Sequence, residues 1–258
     1  MKTLKELYLY RHMIKSMVKK DLRGRYKGSV LGFLWTFVNP LLQLVVYTFV
    51  FSVILKNGIE KFYLYLFVAL VPWIFFSSSV TGGSVCIFAQ KDLVKKIYFC
   101  RQVIPVSYVT SCFVNMLFTF VIIFAVLIVS GVTINPVAIA CLPVIMITEY
   151  ILALGMALIA ASLDVYFRDL QHILGILMMA WMYCTPIMYK VEIVPEKFMP
   201  LFNLNPMTPI ITAYRDVLYY AKVPQLQTIV HALVLGIIVL VVGNFIFDKL
   251  QRHFAEEL

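Results

Sequence analysis

Between Arg101 and Glu149 the chain runs for 47 residues without a charged side chain. As one helix this run would reach ~70 Å, more than twice the hydrocarbon thickness of a bilayer. A single crossing has no use for that length, so the stretch must fold back on itself. The sequence SGVTINP (130–136) supplies the turn, with a glycine and an Asn-Pro pair as breakers. Two crossings follow, over 103–129 and 137–163. A second uncharged run separates Lys27 from Lys56 and predicts a crossing over 32–55. Further crossings are predicted over 62–86, 172–189 and 228–247. Pro72 and the Gly82-Gly83 pair make a kink or early end plausible in the second.

Composition agrees with an integral membrane, all-α protein of six transmembrane helices. The chain of 258 residues is 62% hydrophobic and only 14% charged, more apolar surface than a soluble domain can bury. A formal net charge of +9 would suggest nucleic acid for a soluble protein. Here anionic headgroups and loop topology account for it, and no nucleic-acid partner is expected. Of the 22 Lys and Arg residues, 16 fall on the side that holds both termini. That side is therefore predicted to be cytoplasmic, which places the chain in the cytoplasmic (inner) membrane as a multi-pass protein. The basic N-terminus and the lack of a small-residue cleavage site argue against a cleavable signal peptide. The cysteines (Cys86, Cys100, Cys112, Cys141, Cys184) form no CxxC pair and read as buried free thiols, with neither metal site nor disulfide framework.

Residues 1–31 read as a cytoplasmic interfacial helix and hinge, and 32–258 as the transmembrane domain. On a helical wheel Leu7, Tyr8, Tyr10, Ile14, Met17, Val18 and Leu22 share one side, and Lys5, His12, Ser16, Lys19, Lys20 and Arg23 the other. Gly24, Gly28 and Gly32 then recur every four residues. They can turn the chain into the membrane, or form a small-residue packing face. Arg23, Arg25 and Lys27 end the strip; such cations attract phosphate, whether of bulk lipid or of a substrate.

The outer segment 190–227 is not an ordinary loop. Residues 203–224, NLNPMTPIITAYRDVLYYAKVP, are too apolar to float in water and too short and charged to span. Asn205-Pro206 and Pro209 suit a helix start. Re-entrant helices sheltered by protein are expected, with a surface amphipathic helix as the alternative. Glu149, near the middle of the fourth crossing, is either a functional carboxylate or a hydrogen-bonded bundle residue. Aromatic belts are expected at Trp35 on the inner boundary and at Tyr63, Tyr65 and Tyr189 on the outer one.

The stretch LRGRYKGSVLGFLWTFVNPLLQLVVYTFVF resembles the start of ABC type-2 permeases that export polysaccharides, such as O-antigen, capsule and teichoic-acid exporters. The pattern matches at Arg25, Tyr26, Ser29, Leu31, Gly32 and Trp35, with Asn39-Pro40 following. KDLVKKIYFCRQVIP (91–105) resembles the family's coupling helix, although Cys100 stands where Pro is frequent. FRDLQHIL, TPIMY and NPMTPIITAYRDVLY match further signatures, so the resemblance covers essentially the whole chain.

The resemblance implies a homodimer served by two copies of a separate ABC ATPase subunit that binds ATP and Mg. It implies that this chain is not an enzyme and holds no cofactor itself. The sequence agrees on one point: it has no G-x-x-x-x-G-K-[ST] phosphate loop. In the coupling segment (91–101) the ATPase would meet Lys91, Leu93, Lys95, Lys96, Ile97, Tyr98, Phe99 and Arg101, joined by Arg168 and Asp169 from the next cytoplasmic turn. Arg23, Arg25, Tyr26 and Lys27 would receive the pyrophosphate of a lipid-linked glycan. Tyr47, Phe51, Trp73, Phe76, Trp181 and Tyr183 would line a glycan channel, with core or lipid-facing packing the alternative for each. Two rival functions stay open. A type-2 exporter of drugs or simple lipids would share the fold. A membrane enzyme acting on lipid-linked sugars would need clustered acid, base or metal ligands, and the spans offer only Glu149 and His231, with His172 at an edge.

Overall fold

The computed structural model describes residues 2–25, 28–54 and 58–258, and every regular element within them is helical. Helices α1 (Lys2–Leu9) and α2 (Arg11–Gly24) precede the membrane domain. Five helices are long and apolar enough to cross a bilayer. They contain α3 (Trp35–Thr48), α4 (Phe62–Ser84), α6 (Val103–Val129), α7 (Leu142–Asp164) and α10 (Leu226–Leu250). A short α5 (Lys91–Lys96) lies between α4 and α6, and α9 (Met207–Leu218) precedes α10. The predicted fifth crossing is the shorter apolar helix α8, Leu170–Tyr183, which stops six residues earlier than expected. Its 14 residues span ~21 Å.

The centre of the bundle is α4, packed against α3, α6, α7, α8 and α9. Its side chains from Leu64 to Val71 are almost all fully enclosed. An early end at Pro72 is not seen, since α4 continues through it to Ser84. Tightest of all is the pair α7 and α10. Lipid tails give helices no hydrophobic reason to associate, so close backbone approach and dispersion must do it. A Cβ at Gly155 would lie 2.6 Å from the Leu240 nitrogen, and one at Gly243 would overlap the Gly155 carbonyl. Only glycine admits this crossing.

One proline and two asparagines show how backbone polarity is handled in an apolar medium. Pro40 inside α3 has no N–H for the Thr36 carbonyl, and the Thr119 hydroxyl donates to that carbonyl from α6 (3.4 Å). Asn135 caps the turn after α6: its Oδ1 accepts from Val137 N–H (3.1 Å) and its Nδ2 donates to the Ala221 carbonyl (3.2 Å). Asn205 does the same for α9. Its Oδ1 accepts from Met207 N–H (3.0 Å) and from Trp181 Nε1 (2.9 Å), while Nδ2 donates to the Cys184 carbonyl and the Thr185 hydroxyl.

Helix α9 is enclosed by α4, α7 and α10, and ten of its residues, Met207 and Tyr214 among them, are buried. It is thus sheltered by protein, and the surface-helix alternative for 203–224 fails for this element. Tyr65 is also inside: its hydroxyl donates to the Tyr189 carbonyl (3.0 Å), so it belongs to no interfacial belt. All five cysteines are free, but only Cys86 and Cys112 are buried, and Cys184 is exposed.

Candidate functional site

The N-terminal elbow is built by the end of α2, the turn after it and the first half of α6. Gly28 (φ +83°) and Gly32 (φ +48°) adopt left-handed backbone, the conformation that lets the chain turn from α2 into α3. Nothing lies within 4 Å of a Cβ built at Gly24, Gly28 or Gly32, so within this chain they form no packing face. The apolar side of α2 rests on α6 and, through Met13, Ile14 and Met17, on an apolar cluster around Val103, Phe247 and Phe254. The face predicted to lie on lipid is therefore partly covered by protein.

Of the four residues expected to receive a pyrophosphate, Tyr26 and Lys27 lie outside the described residues. Arg23 is exposed and shares an apolar recess of about 480 Å³ with Lys15, Lys19, Phe33 and Phe118. Arg25 points inward. Its Nε donates to Asp21 Oδ2 (2.9 Å), and its Nη2 donates to Ser111 Oγ and Cys112 Sγ (both 3.1 Å). Its guanidinium stands 5.3 Å from the Tyr108 ring centre, and the Ser111 hydroxyl donates to Asp21 Oδ2. Sequence reasoning missed Asp21 and Ser111. The signal for Asp21 was present: a lone acid in a basic strip, four residues before an arginine on a helix. Nothing in the sequence pointed to Ser111, because it arrives from another helix.

The expected coupling helix is helical only over Lys91–Lys96. Ile97 turns extended (φ −128°, ψ 134°), and Tyr98 stands fully exposed at 101%. Phe99 is buried with Val94 and Ile104 in that same cluster, so its side chain is not free to enter a partner. Arg101 donates to the Gln251 carbonyl, and Gln102 Nε2 donates to Asn244 and Asp248 (both 2.8 Å), binding this segment to α10. Cys100 beside them is half-buried, and burial raises its thiol pKa. A cavity of about 780 Å³ opens here, lined by Glu6, Tyr98, Arg101, Asp248 and Arg252.

Arg168 and Asp169 are exposed. The Phe88 ring lies 5.0 Å from the Arg168 guanidinium and 5.2 Å from Lys91 Nζ, so one aromatic face connects the two basic segments. Asp169 occupies the N-cap position of α8 without a side-chain capping bond.

The expected channel residues separate into two groups. Trp73 and Phe76 are buried, and Phe76 meets Trp181 edge to face at 5.3 Å. These three pack the interior between α4 and α8. Tyr47 and Phe51 are half-buried and Tyr183 is exposed, so these three remain at an open face.

Glu149 is fully enclosed and accepts a hydrogen bond from the Tyr214 hydroxyl at 2.7 Å, joining α7 to α9. Beside it on α9, Arg215 is buried, and among the described residues no carboxylate lies within 4.0 Å of it. Its guanidinium lies 3.7 Å from the Tyr65 ring centre and donates to the Ile187 carbonyl (2.6 Å). Sequence reading named neither Tyr214 nor Arg215, since their importance depends on what faces them.

The bundle thus has a basic amphipathic entry helix and a short exposed helix between its second and third spans. Residues 12–219 match the family described as ABC-2 type transporter, and the chain belongs to that family. It is a permease subunit of that family, not an enzyme. The chain is 34% identical over 260 residues to the O-antigen export system permease protein RfbA of Myxococcus xanthus, covering 99% of this chain and 98% of that one. It is 35% and 36% identical to two proteins of the same description from Klebsiella pneumoniae, each over 97% of this chain and 96% of theirs.

Proposed function

We propose that this chain is the permease of an exporter that carries an O-antigen-like, lipid-linked polysaccharide across the cytoplasmic membrane, with both termini in the cytoplasm. The observation that carries this reading is full-length similarity to relatives described as O-antigen export permeases. The relatives favour an O-antigen-like glycan over a teichoic acid and over drugs or simple lipids. The active unit is a homodimer with two ATPase subunits. Apolar faces are left open for a second copy: α3 exposes Leu42, Val45 and Val46, and α8 exposes Ile173, Ile176 and Leu177. The ATPase meets Ile97 and Tyr98, rimmed by Lys95, Lys96 and the Arg168 turn. The glycan follows the open face of Tyr47, Phe51 and Tyr183, where many weak contacts permit sliding. The lipid pyrophosphate approaches the elbow at Arg23 and Arg25.

The test is complementation. Expressed with its own ATPase in a bacterium whose O-antigen permease gene has been deleted, the chain should restore surface O-antigen on a polysaccharide gel. Failure there, with export of a dye or simple lipid in the same cells, would select the drug or lipid reading. Tyr98→Ala combined with Ile97→Ala should abolish co-purification of the ATPase while the permease itself remains folded.

A further inference from the structure

Asp21 is the sole acid of α2, in a strip that carries Lys15, Lys19, Lys20, Arg23 and Arg25. Among the described residues, its pair with Arg25 is the one ion pair within 4.0 Å. The carboxylate oxygen Oδ2 accepts from the Arg25 Nε and from the Ser111 hydroxyl at once. A guanidinium N–H and a hydroxyl converging on one oxygen make a seat for an oxyanion, and a phosphate oxygen presents the same acceptor geometry.

Space surrounds this seat on two sides. A cavity of about 470 Å³ lies between α2, α4 and α6, with Lys20, Asp21, Arg25 and Gln90 in its wall. A second, of about 280 Å³, lies deeper between α3, α4 and α6, walled by Arg25, Thr36, Asn39, Ser78 and Asn115. The Arg25 side chain belongs to both walls. The first cavity has the exposed Lys20 at its rim, so an anion entering from the cytoplasmic side meets a second cation before Arg25. Ser111 also needs no replacement for Asp21. Its hydroxyl already has the Tyr108 carbonyl as an alternative acceptor at 3.0 Å.

We propose that the Asp21 carboxylate is a built-in stand-in for substrate phosphate, occupying the oxyanion seat of Arg25 and Ser111 until a phosphate oxygen of the lipid-linked substrate displaces it. The inference rests on the reading of the elbow as the receiver of a lipid pyrophosphate, and adds its regulation. Displacement removes the carboxylate bond that ties the last turn of α2 to Arg25 and to α6. The elbow is then held to α6 through the ligand instead, so arrival of substrate changes how α2 and α3 are anchored. Charge supports the exchange: a diphosphate satisfies Arg25 and has oxygens left for Lys20, which Asp21 alone does not reach within 4.0 Å.

The experiment measures binding of radiolabelled farnesyl diphosphate to the permease–ATPase complex in phosphatidylcholine nanodiscs. Asp21→Asn keeps the shape and removes the competing charge. It should bind about tenfold tighter than the parent, the scale of one charge-assisted hydrogen bond freed from competition. Arg25→Ala should bind at least tenfold weaker, and Ser111→Ala several-fold weaker with the ion pair intact. Unchanged or weaker binding in Asp21→Asn, with Arg25→Ala still weakened, would overturn the stand-in while leaving the elbow as a diphosphate receiver. Unchanged binding in both would remove the receiver itself. Hydrogen exchange guards against misfolding: in Asp21→Asn, added farnesyl diphosphate should protect residues 20–25, and the same variant should keep parental protection along α7. Inorganic pyrophosphate that competes equally would support the seat and assign it to the diphosphate without its prenyl chain. Phosphatidylglycerol in the nanodisc that abolishes the difference between variants would assign the seat to bulk headgroups and overturn the proposal.

Discussion

The first and second spans, 32–54 and 62–84, are each 23 residues long and similarly apolar, yet the bundle treats them oppositely. Helix α4 buries most of its side chains, whereas α3 buries Thr36, Pro40 and Leu44. Apolarity therefore decides that a segment enters the membrane and says little about whether protein or lipid will cover it. What separates the two is partners: α4 is enclosed by five helices, while α3 touches mainly α4 and α6. The enclosed helix is where stability should reside, and the open one is where assembly and transport remain possible.

Substitutions at the enclosed and open regions should split along that line. The largest loss is expected where the framework leaves no space at all. Gly155→Val would drive side-chain atoms into the backbone of α10 at Leu240, and repacking cannot relieve a backbone overlap. Little or no monodisperse protein should survive on fluorescence-detected size-exclusion chromatography; a normal peak would show that α7 and α10 are less rigidly joined than they look. Arg215→Ala comes next. It leaves the Ile187 carbonyl without its donor and opens a void beside Tyr65, so a cost of about 2–4 kcal/mol is expected. Thermal unfolding in detergent reads it directly. Tyr214→Phe should cost about 1–3 kcal/mol, because it strips the hydrogen bond from a fully enclosed Glu149. If Tyr214→Phe is neutral while Glu149→Gln destabilises, the carboxyl has another partner and the α7–α9 connection lies elsewhere.

The smallest stability effect belongs to the open face. Val45→Ala with Val46→Ala should shift unfolding by less than about 0.5 kcal/mol in detergent. The same pair should reduce cysteine crosslinking between two copies in membranes if α3 meets a second copy there. A large stability loss would mean that α3 is held within one chain more firmly than its exposure indicates.

Much of the architecture was legible because membrane physics is strict. The third span was read residue for residue, 103–129, since uncharged length and the Asn-Pro breaker left no alternative. The left-handed Gly28 and Gly32 and the capping Asn135 and Asn205 were likewise local signals. The fifth helix was read too long because TPIMY is apolar enough to continue it, yet the chain turns there, held by Thr185 and Asn205. Phe99 was expected to seat in a partner and instead closes an apolar cluster of its own chain. An aromatic residue in a basic segment reads the same in either role. Trp73, Phe76 and Trp181 taught a similar lesson, since aromatic count cannot distinguish a channel wall from a core.

By itself the amino-acid sequence determined the medium, the number of apolar helices, the turns and the basic entry strip, all properties of residues near one another along the chain. The tertiary structure decided which charges are answered and by what. Arg25 is held by Asp21 from its own helix and by Ser111 from 86 residues away. Arg215 lies on a tyrosine 150 residues earlier in the chain, and Glu149 on a tyrosine of α9. In a medium without water each buried polar group must find its partner inside the protein, and only the folded arrangement of helices can say which partner that is.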